Sequence, residues 1–262
     1  MTPHAHQQPA SIVPIMPMPR PPVRETSAHL HTNCSACHLR ELCLPSGMTG
    51  VEVQRLDSLM FQRRRIKAGQ VLYAQGDPFQ FIYAVRGGTL KSSLTLADGR
   101  EQVSSFHIAG EQLGLDGVAQ GRHGTTATAL EDTELCAIPY ARVAQMTVAG
   151  SGHEHLISRL MSREIVREHS LMMLLGSMSA VERLATFLLN LAARLKARGY
   201  SASEFHLRMT RAEIGSHLGM KIETVSRTFS IFQKQRLLQV DKRHIRILDL
   251  NGLTSAFGMR MQ

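Results

Sequence analysis

Three of the four cysteines in this 262-residue sequence fall within ten positions, in Cys34-Ser35-Ala36-Cys37-His38-Leu39-Arg40-Glu41-Leu42-Cys43. Gaps of two and five residues let a single loop turn three sulfurs toward a common centre. Thiolates hold zinc and iron–sulfur clusters, and they are also the reactive form in redox chemistry. Cys136 lies far along the chain, so a four-thiolate centre that used it would staple the N-terminal segment onto the domain that follows. A Cys3His zinc site would instead draw on His29, His31 or His38. A thiol or disulfide switch is the third reading. Spacing alone leaves zinc and cluster open. The ferredoxin run C-x2-C-x2-C-x3-C-P is absent, as are a P-loop, a Ser/His/Asp set and paired carboxylates, so the expectation is a chain that is not an enzyme.

A second group of residues suits DNA. Thr210-Arg211-Ala212-Glu213 reads as a capping box opening a helix. Ile214 and Leu218 give that helix an apolar face, and Gly219 stops it. The next helix, from Ile222 to about Gln235, turns Val225, Phe229 and Phe232 inward. Two short helices across a glycine turn make a helix-turn-helix, whose second helix enters the major groove. Glu223, Ser226 and Arg227 stand on the face opposite the apolar positions. A guanidinium there can pair bidentately with guanine, a carboxylate can accept from cytosine, and a serine can meet almost any base. Thr210, Arg211 and Lys221 are placed for phosphates, which fix register without reading sequence. Leu237 to Leu250, two apolar strands around Asp241-Lys242-Arg243-His244, reads as a basic wing.

Composition agrees with a polyanionic partner: the formal charge is +9 and the pI about 9.9. No apolar run reaches the roughly 18 residues of a membrane helix, so the expectation is a cytoplasmic chain without a membrane partner. Four cysteines without a secretion signal favour metal or redox use over disulfides.

The elements that must position these groups follow in order. Seven of the ten prolines fall in the first 22 residues, and residues 1–28 read as disordered. Residues 29–150 read as the cysteine-bearing segment and a sensor domain, 151–178 as a dimerisation helix, and 179–262 as a winged helix-turn-helix domain. Leu56 to Met60 reads as a helical turn. Gln70 to Ala74, Phe81 to Val85, Thr89 to Leu94 and Gln102 to Phe106 read as short strands between glycine turns, which close into an antiparallel β-roll. From about His155 to Leu175 the pattern is helical, with Met161, Ile165, Met172 and Leu175 on an a/d seam whose missing slot is Glu168. Such a seam seeks a partner helix, ordinarily its own twofold copy, or else packs on the roll. In a dimer two Glu168 carboxylates would approach across the axis and leave association marginal. Ser179 and Glu182 form another capping box, opening a helix with Leu184, Leu188, Leu191 and Leu195 on one face and Gly199 at its end. Phe205, Leu207 and Met209 alternate as a short strand.

The segments Lys67-Ala68-Gly69-Gln70, Gly87-Gly88-Thr89-Leu90-Lys91 and Gly110-Glu111-Gln112-Leu113-Gly114 resemble the cyclic-nucleotide-binding roll of the Crp/Fnr family. Where its nucleotide-binding members carry an arginine-serine pair this chain has His123-Gly124, so no cyclic nucleotide is expected. Glu223-Thr224-Val225-Ser226-Arg227 resembles the recognition helix of the FNR (fumarate and nitrate reduction regulator) branch. Ile222 and Ser226 stand where the cyclic AMP receptor branch has arginine and glycine. Cys34, Cys37 and Cys43, with Cys136 deep in the roll, match that branch's cluster ligands, while Ala36 and His38 depart from its best-known pattern. The resemblance implies an α+β fold of β-roll, long dimerisation helix and winged helix-turn-helix. It further implies a [4Fe–4S] cluster, a homodimer formed without oxygen, palindromic TTGAT-N4-ATCAA sites on double-stranded DNA, and contact with RNA polymerase, here through the turn Ala97 to Arg100. Oxygen would convert the cluster and return the protein to monomers. Leu42, beside Cys43, reads as a shield.

Overall fold

The computed structural model describes residues 33–44, 48, 50–57, 61–96, 98–148 and 154–255. The segment 1–28, His29, His31 and Ala97 therefore lie outside the described residues.

Two helices lead in, α1 (Arg40–Cys43) and α2 (Gly50–Asp57). Val53 and Leu56, three residues apart on one face, are the buried positions of the second, which overlaps the start of the expected turn at Leu56 to Met60; residues 58–60 lie outside the described residues. Among the described residues eight strands follow: β1 (Gln62–Ile66), β2 (Val71–Tyr73), β3 (Phe81–Gly87), β4 (Thr89–Thr95), β5 (Glu101–Ile108), β6 (Gln112–Leu113), β7 (Thr126–Ala129) and β8 (Thr133–Pro139). They form two antiparallel sheets, ordered β1-β8-β3-β6 and β2-β7-β4-β5. Tyr73, Tyr83, Val85, Leu90, Ala127, Leu135 and Ala137 fill the space between them.

Side chains alternate across a strand, so the inward set on β3 and β8 fixes the outward one. Tyr83, Val85, Leu135 and Ala137 point into the roll; Ile82, Ala84, Arg86, Glu134, Cys136 and Ile138 therefore face out. Cys136 is buried, but not deep in the roll as expected. It lies on the outer face of the sheet, between β1 and β3, under the cover of the N-terminal segment.

Helix α3 (Tyr140–Val148) and the long α4 (Glu154–Ser177) close that cover, with Val143, Ile157 and Leu160 packed on it. Next come α5 (Ala180–Lys196), β9 (Glu204–His206), α6 (Arg211–Leu218), α7 (Ile222–Lys234), β10 (Leu238–Asp241), β11 (His244–Ile247) and α8 (Leu250–Ser255). The strands β10-β11-β9 form a three-stranded antiparallel sheet. Both predicted capping boxes are present, Ser179 with Glu182 and Thr210 with Glu213. Gly219 ends α6 at φ 61°, in the left-handed region that a Cβ disfavours. Leu184, Leu188, Ile214, Leu218, Val225, Phe229, Phe232, Leu238 and Ile245 form the core of this C-terminal unit, and Val103 and Phe106 of β5 belong to the same core. The reader therefore packs directly on the roll. No described helix is long and apolar enough to cross a membrane.

Candidate metal centre and nucleic-acid interface

All four cysteines line one small cavity, of about 60 Å³, whose other walls are largely apolar side chains from the cover, β3 and β8. Consecutive turns shape the loop: Cys37 N–H donates to the Cys34 carbonyl at 3.1 Å, and Cys43 N–H to Leu39 at 2.8 Å. Ser35 ties the loop to α2, its N–H and hydroxyl donating to the two carboxylate oxygens of Asp57 at 3.2 and 2.5 Å. Leu42 rests on Gly110, where a Cβ would come within 2.8 Å of the leucine's own.

Two side chains that sequence reasoning missed reach the sulfurs. Arg86 Nη1 lies 3.8 Å from Cys37 Sγ and also bonds Cys136, while Glu134 sits 3.5 Å from its Nε. Gln112 Nε2 donates to Cys43 Sγ at 3.3 Å and to the Cys43 carbonyl. Alternation from Ile82 and Ala84 would have put Arg86 on the face of Cys136; Gln112 carried no comparable signal.

Burial is the main force raising the pKa values of Cys34, Cys43 and Cys136. It pushes Cys34 far above the usual thiol range, with repulsion from Cys43 and Cys136 adding to it, and pushes Cys43 up to about 11 against the bond from Gln112. Cys136 is raised by burial and held back by Arg86. A site this dry favours neutral thiols until a cationic group enters, and metal binding deprotonates thiols outright. Among the described residues no three His, Cys, Asp or Glu side chains converge tightly enough for a single metal ion. His38 is exposed and does not line the cavity. Four sulfurs lining one cavity, with hydrogen-bond donors to sulfur, are a donor set that fits an iron–sulfur cluster.

Between the roll and α4, a cavity of about 470 Å³ is bounded by Tyr73, Ser92, Asp116 and Thr125 and by Met161, Glu164, Ile165, Glu168 and Met172 of α4. His123 stacks on Tyr73, ring centroids 3.7 Å apart, and meets Asp116 at 3.4 Å. Carboxylates line this space and no lysine or arginine does, a wall unsuited to a phosphate.

The seam residues separate. Ile165 and Met172 are exposed at 54% and 60%, beside the equally exposed Val166 and Met173. Met161 and Glu168 are half-buried against the roll, and Glu168 titrates above the usual carboxylate range through burial and then repulsion from Glu164. Leu175 turns away from the seam and packs on the C-terminal core.

On α7, Glu223 and Arg227 are exposed, Ser226 is half-buried, and Lys221 precedes the first turn in the open. Arg211 lies over the Phe229 ring at 5.2 Å. The Thr210 hydroxyl is engaged in its cap, donating to Glu213 at 2.9 Å and accepting from the Glu213 N–H at 3.2 Å. Helix α6 is bonded to β5: Val103 N–H donates to Ser216 Oγ at 2.9 Å, and Ser216 Oγ to the Glu101 carbonyl at 3.0 Å. In the turn after β4, Asp98 and Arg100 are exposed and paired at 2.7 Å.

A model of the cyclic nucleotide-binding domain matches residues 63–148, and one of the Crp-like helix-turn-helix domain matches residues 182–256. The transcriptional regulatory protein btr of Bordetella pertussis is 42% identical over 239 residues, covering 91% of this chain and 97% of its own. The transcriptional activator protein anr of Pseudomonas aeruginosa is 40% identical, covering 88% and 94%. The fumarate and nitrate reduction regulatory protein of Vibrio cholerae is 38% identical, covering 87% and 91%. Among solved structures, FixK2 from Bradyrhizobium japonicum superposes with a TM-score of 0.71 at 28% identity, over 77% of this chain and 99% of that one.

Proposed function

The chain belongs to the Crp/Fnr family of DNA-binding transcription regulators, and from that premise we propose that it is an oxygen-responsive regulator that binds DNA when a [4Fe–4S] cluster sits on Cys34, Cys37, Cys43 and Cys136. The observation that carries this reading is the convergence on one cavity of three loop cysteines and a fourth from β8. When bound, the cluster supplies an oxygen-reactive inorganic centre. The chain does the rest. Arg86 and Gln112 donate to the sulfurs, the apolar wall excludes water, and Leu42 covers the loop against Gly110.

The partner of α4 is a second copy, joined through Met161, Ile165 and Met172, with Leu175 serving the reader end instead. Glu168 holds that association near balance. Each protomer then reads one half of a palindrome of the TTGAT-N4-ATCAA type, with Glu223, Ser226 and Arg227 on base edges and Arg211 and Lys221 on phosphates; Thr210 contributes through its cap and backbone. The turn bearing Asp98 and Arg100 is the surface offered to RNA polymerase. The protein acts in the cytoplasm by binding, without catalysis, and its parts divide at residues 29–150, 151–178 and 179–262.

The test is iron, acid-labile sulfide and zinc content of protein purified without oxygen, followed by DNA binding before and after air. About four irons and four sulfides per chain, lost in air together with DNA affinity, are expected. One zinc and no sulfide would overturn the cluster and leave a zinc- or thiol-dependent winged-helix regulator.

A further inference from the structure

The turn between β5 and β6 touches both ends of the molecule. Gly110 packs under Leu42, and Gln112 bonds Cys43 through both its carbonyl and its sulfur. Glu111, between them, points the opposite way. It is 7% exposed, and its carboxylate accepts from Arg194 Nε at 2.9 Å and Nη2 at 2.6 Å, and from Arg198 Nη2 at 2.8 Å. Those arginines stand at the end of α5, whose Leu184 and Leu188 lie in the core of the DNA reader. They also grip the strand leading into the turn, Arg194 bonding the Phe106 carbonyl at 2.7 Å and Arg198 the Ala109 carbonyl.

Three consecutive residues thus join the cysteine loop to the reading domain. We propose that Gly110–Gln112 is the positioning element that carries the state of the cysteine loop to the DNA reader, with Gln112 as the contact to Cys43 and Glu111 as the clamp on α5. This rests on the cysteine-centred reading above. One carboxylate shared by two guanidiniums in a dry site is a stiff joint, since removing its charge leaves the arginines buried without a counter-ion. A loop that changes shape at Cys43 must either break the Gln112 bonds or drag the turn, and the turn is fixed to α5.

The experiment measures two quantities in Glu111→Gln and in Gln112→Ala, with Lys67→Ala, at an exposed ion pair on the roll, as control. The second variant keeps the test open if the first does not fold. One quantity is the ratio of DNA affinity between cluster-loaded and metal-free protein; the other is the rate of iodoacetamide alkylation of Cys43 in metal-free protein, with Cys136 as internal reference. The parent and Lys67→Ala should show a ratio of at least ~5-fold, the lower end of ordinary coupling between sites. Both test variants, compared with the parent at equal iron and sulfide content, should bring the ratio close to one, and both should alkylate Cys43 several-fold faster with Cys136 unchanged. Glu111 does not touch Cys43, so that second effect distinguishes transmission from local packing. An unchanged ratio with unchanged Cys43 alkylation overturns the link. A parent protein whose DNA affinity ignores loading, but whose Cys43 is still freed by Glu111→Gln, overturns the oxygen reading and supports the mechanical link.

Discussion

The Arg227 side chain is exposed on α7, and among the described residues its hydrogen-bond partner is Thr224 Oγ1, a long contact at 3.5 Å, which leaves its fork turned to solvent. Replacing it with alanine should cost about 1–3 kcal/mol of discrimination at one base pair, read as relaxed specificity in anisotropy titrations against single-base variants of the site. Lysine should not restore it, because a point charge lacks the planar pair of donors. Equal losses on every sequence would make Arg227 a phosphate contact. The residues of this face were legible in the sequence because helical spacing alone separates them from Val225, Phe229 and Phe232. The loop cysteines were legible for the same local reason. Gln112 and Glu111 were not, because a turn between strands brings them to their partners, and alternation gives the face of Arg86 but not the register that sets it beside Cys136. The side Cys136 faces also needed the register, since a buried position on an outer face reads the same as one inside.

Helix α6 is fastened to β5 as firmly as to its own domain, and His217 lies at that junction. Its ring is set edge-on to Phe106 and Phe187, and its Nδ1 reaches the Val103 carbonyl at 3.3 Å. Burial depresses its pKa from 6.5 to about 4. The folded protein therefore keeps this ring neutral while the unfolded chain takes up a proton below pH 6.5. Its contribution to stability is complete above pH 6.5, is lost as pH falls toward 4, and changes no further below that. A depression of this size corresponds to about 3 kcal/mol. His107, buried in the roll, is depressed to about 4 by burial and behaves alike. Urea unfolding at pH 7.5 and 4.5 should show the fall, and His217→Gln should reduce it; an equal fall in the variant would place the acid sensitivity elsewhere. At this scale the capping boxes announced where α5 and α6 begin, since their signals lie in four residues. That Leu175 would leave the seam for the C-terminal core was not announced, because heptad spacing says that a face is apolar and not what covers it.

For the molecule as a whole, the proposed dimer joins through the exposed stripe of Ile165, Val166, Met172 and Met173, with Glu168 as the charge that opposes it. Glu168→Ala should strengthen dimerisation in air by about 0.5–3 kcal/mol, typical of neighbouring groups, read as a larger dimer fraction in sedimentation. The same monomer fraction as the parent would remove Glu168 from the switch. The overall plan, roll then long helix then winged reader, was legible because each part has its own periodicity. How tightly reader and roll share one core was not, since Val103 and Phe106 read as ordinary strand residues. The cysteine cavity bears on the order of manufacture. Its first three sulfurs leave the ribosome together, but Cys136 follows Cys43 by 93 residues, roughly 5–20 s at about 5–20 residues per second. Through that interval the nascent chain presents a bare three-thiol loop with neither its fourth sulfur nor its sheet floor, so the four-thiolate centre proposed above cannot be completed before Cys136 is made, and the exposed thiols meet oxidants first during synthesis.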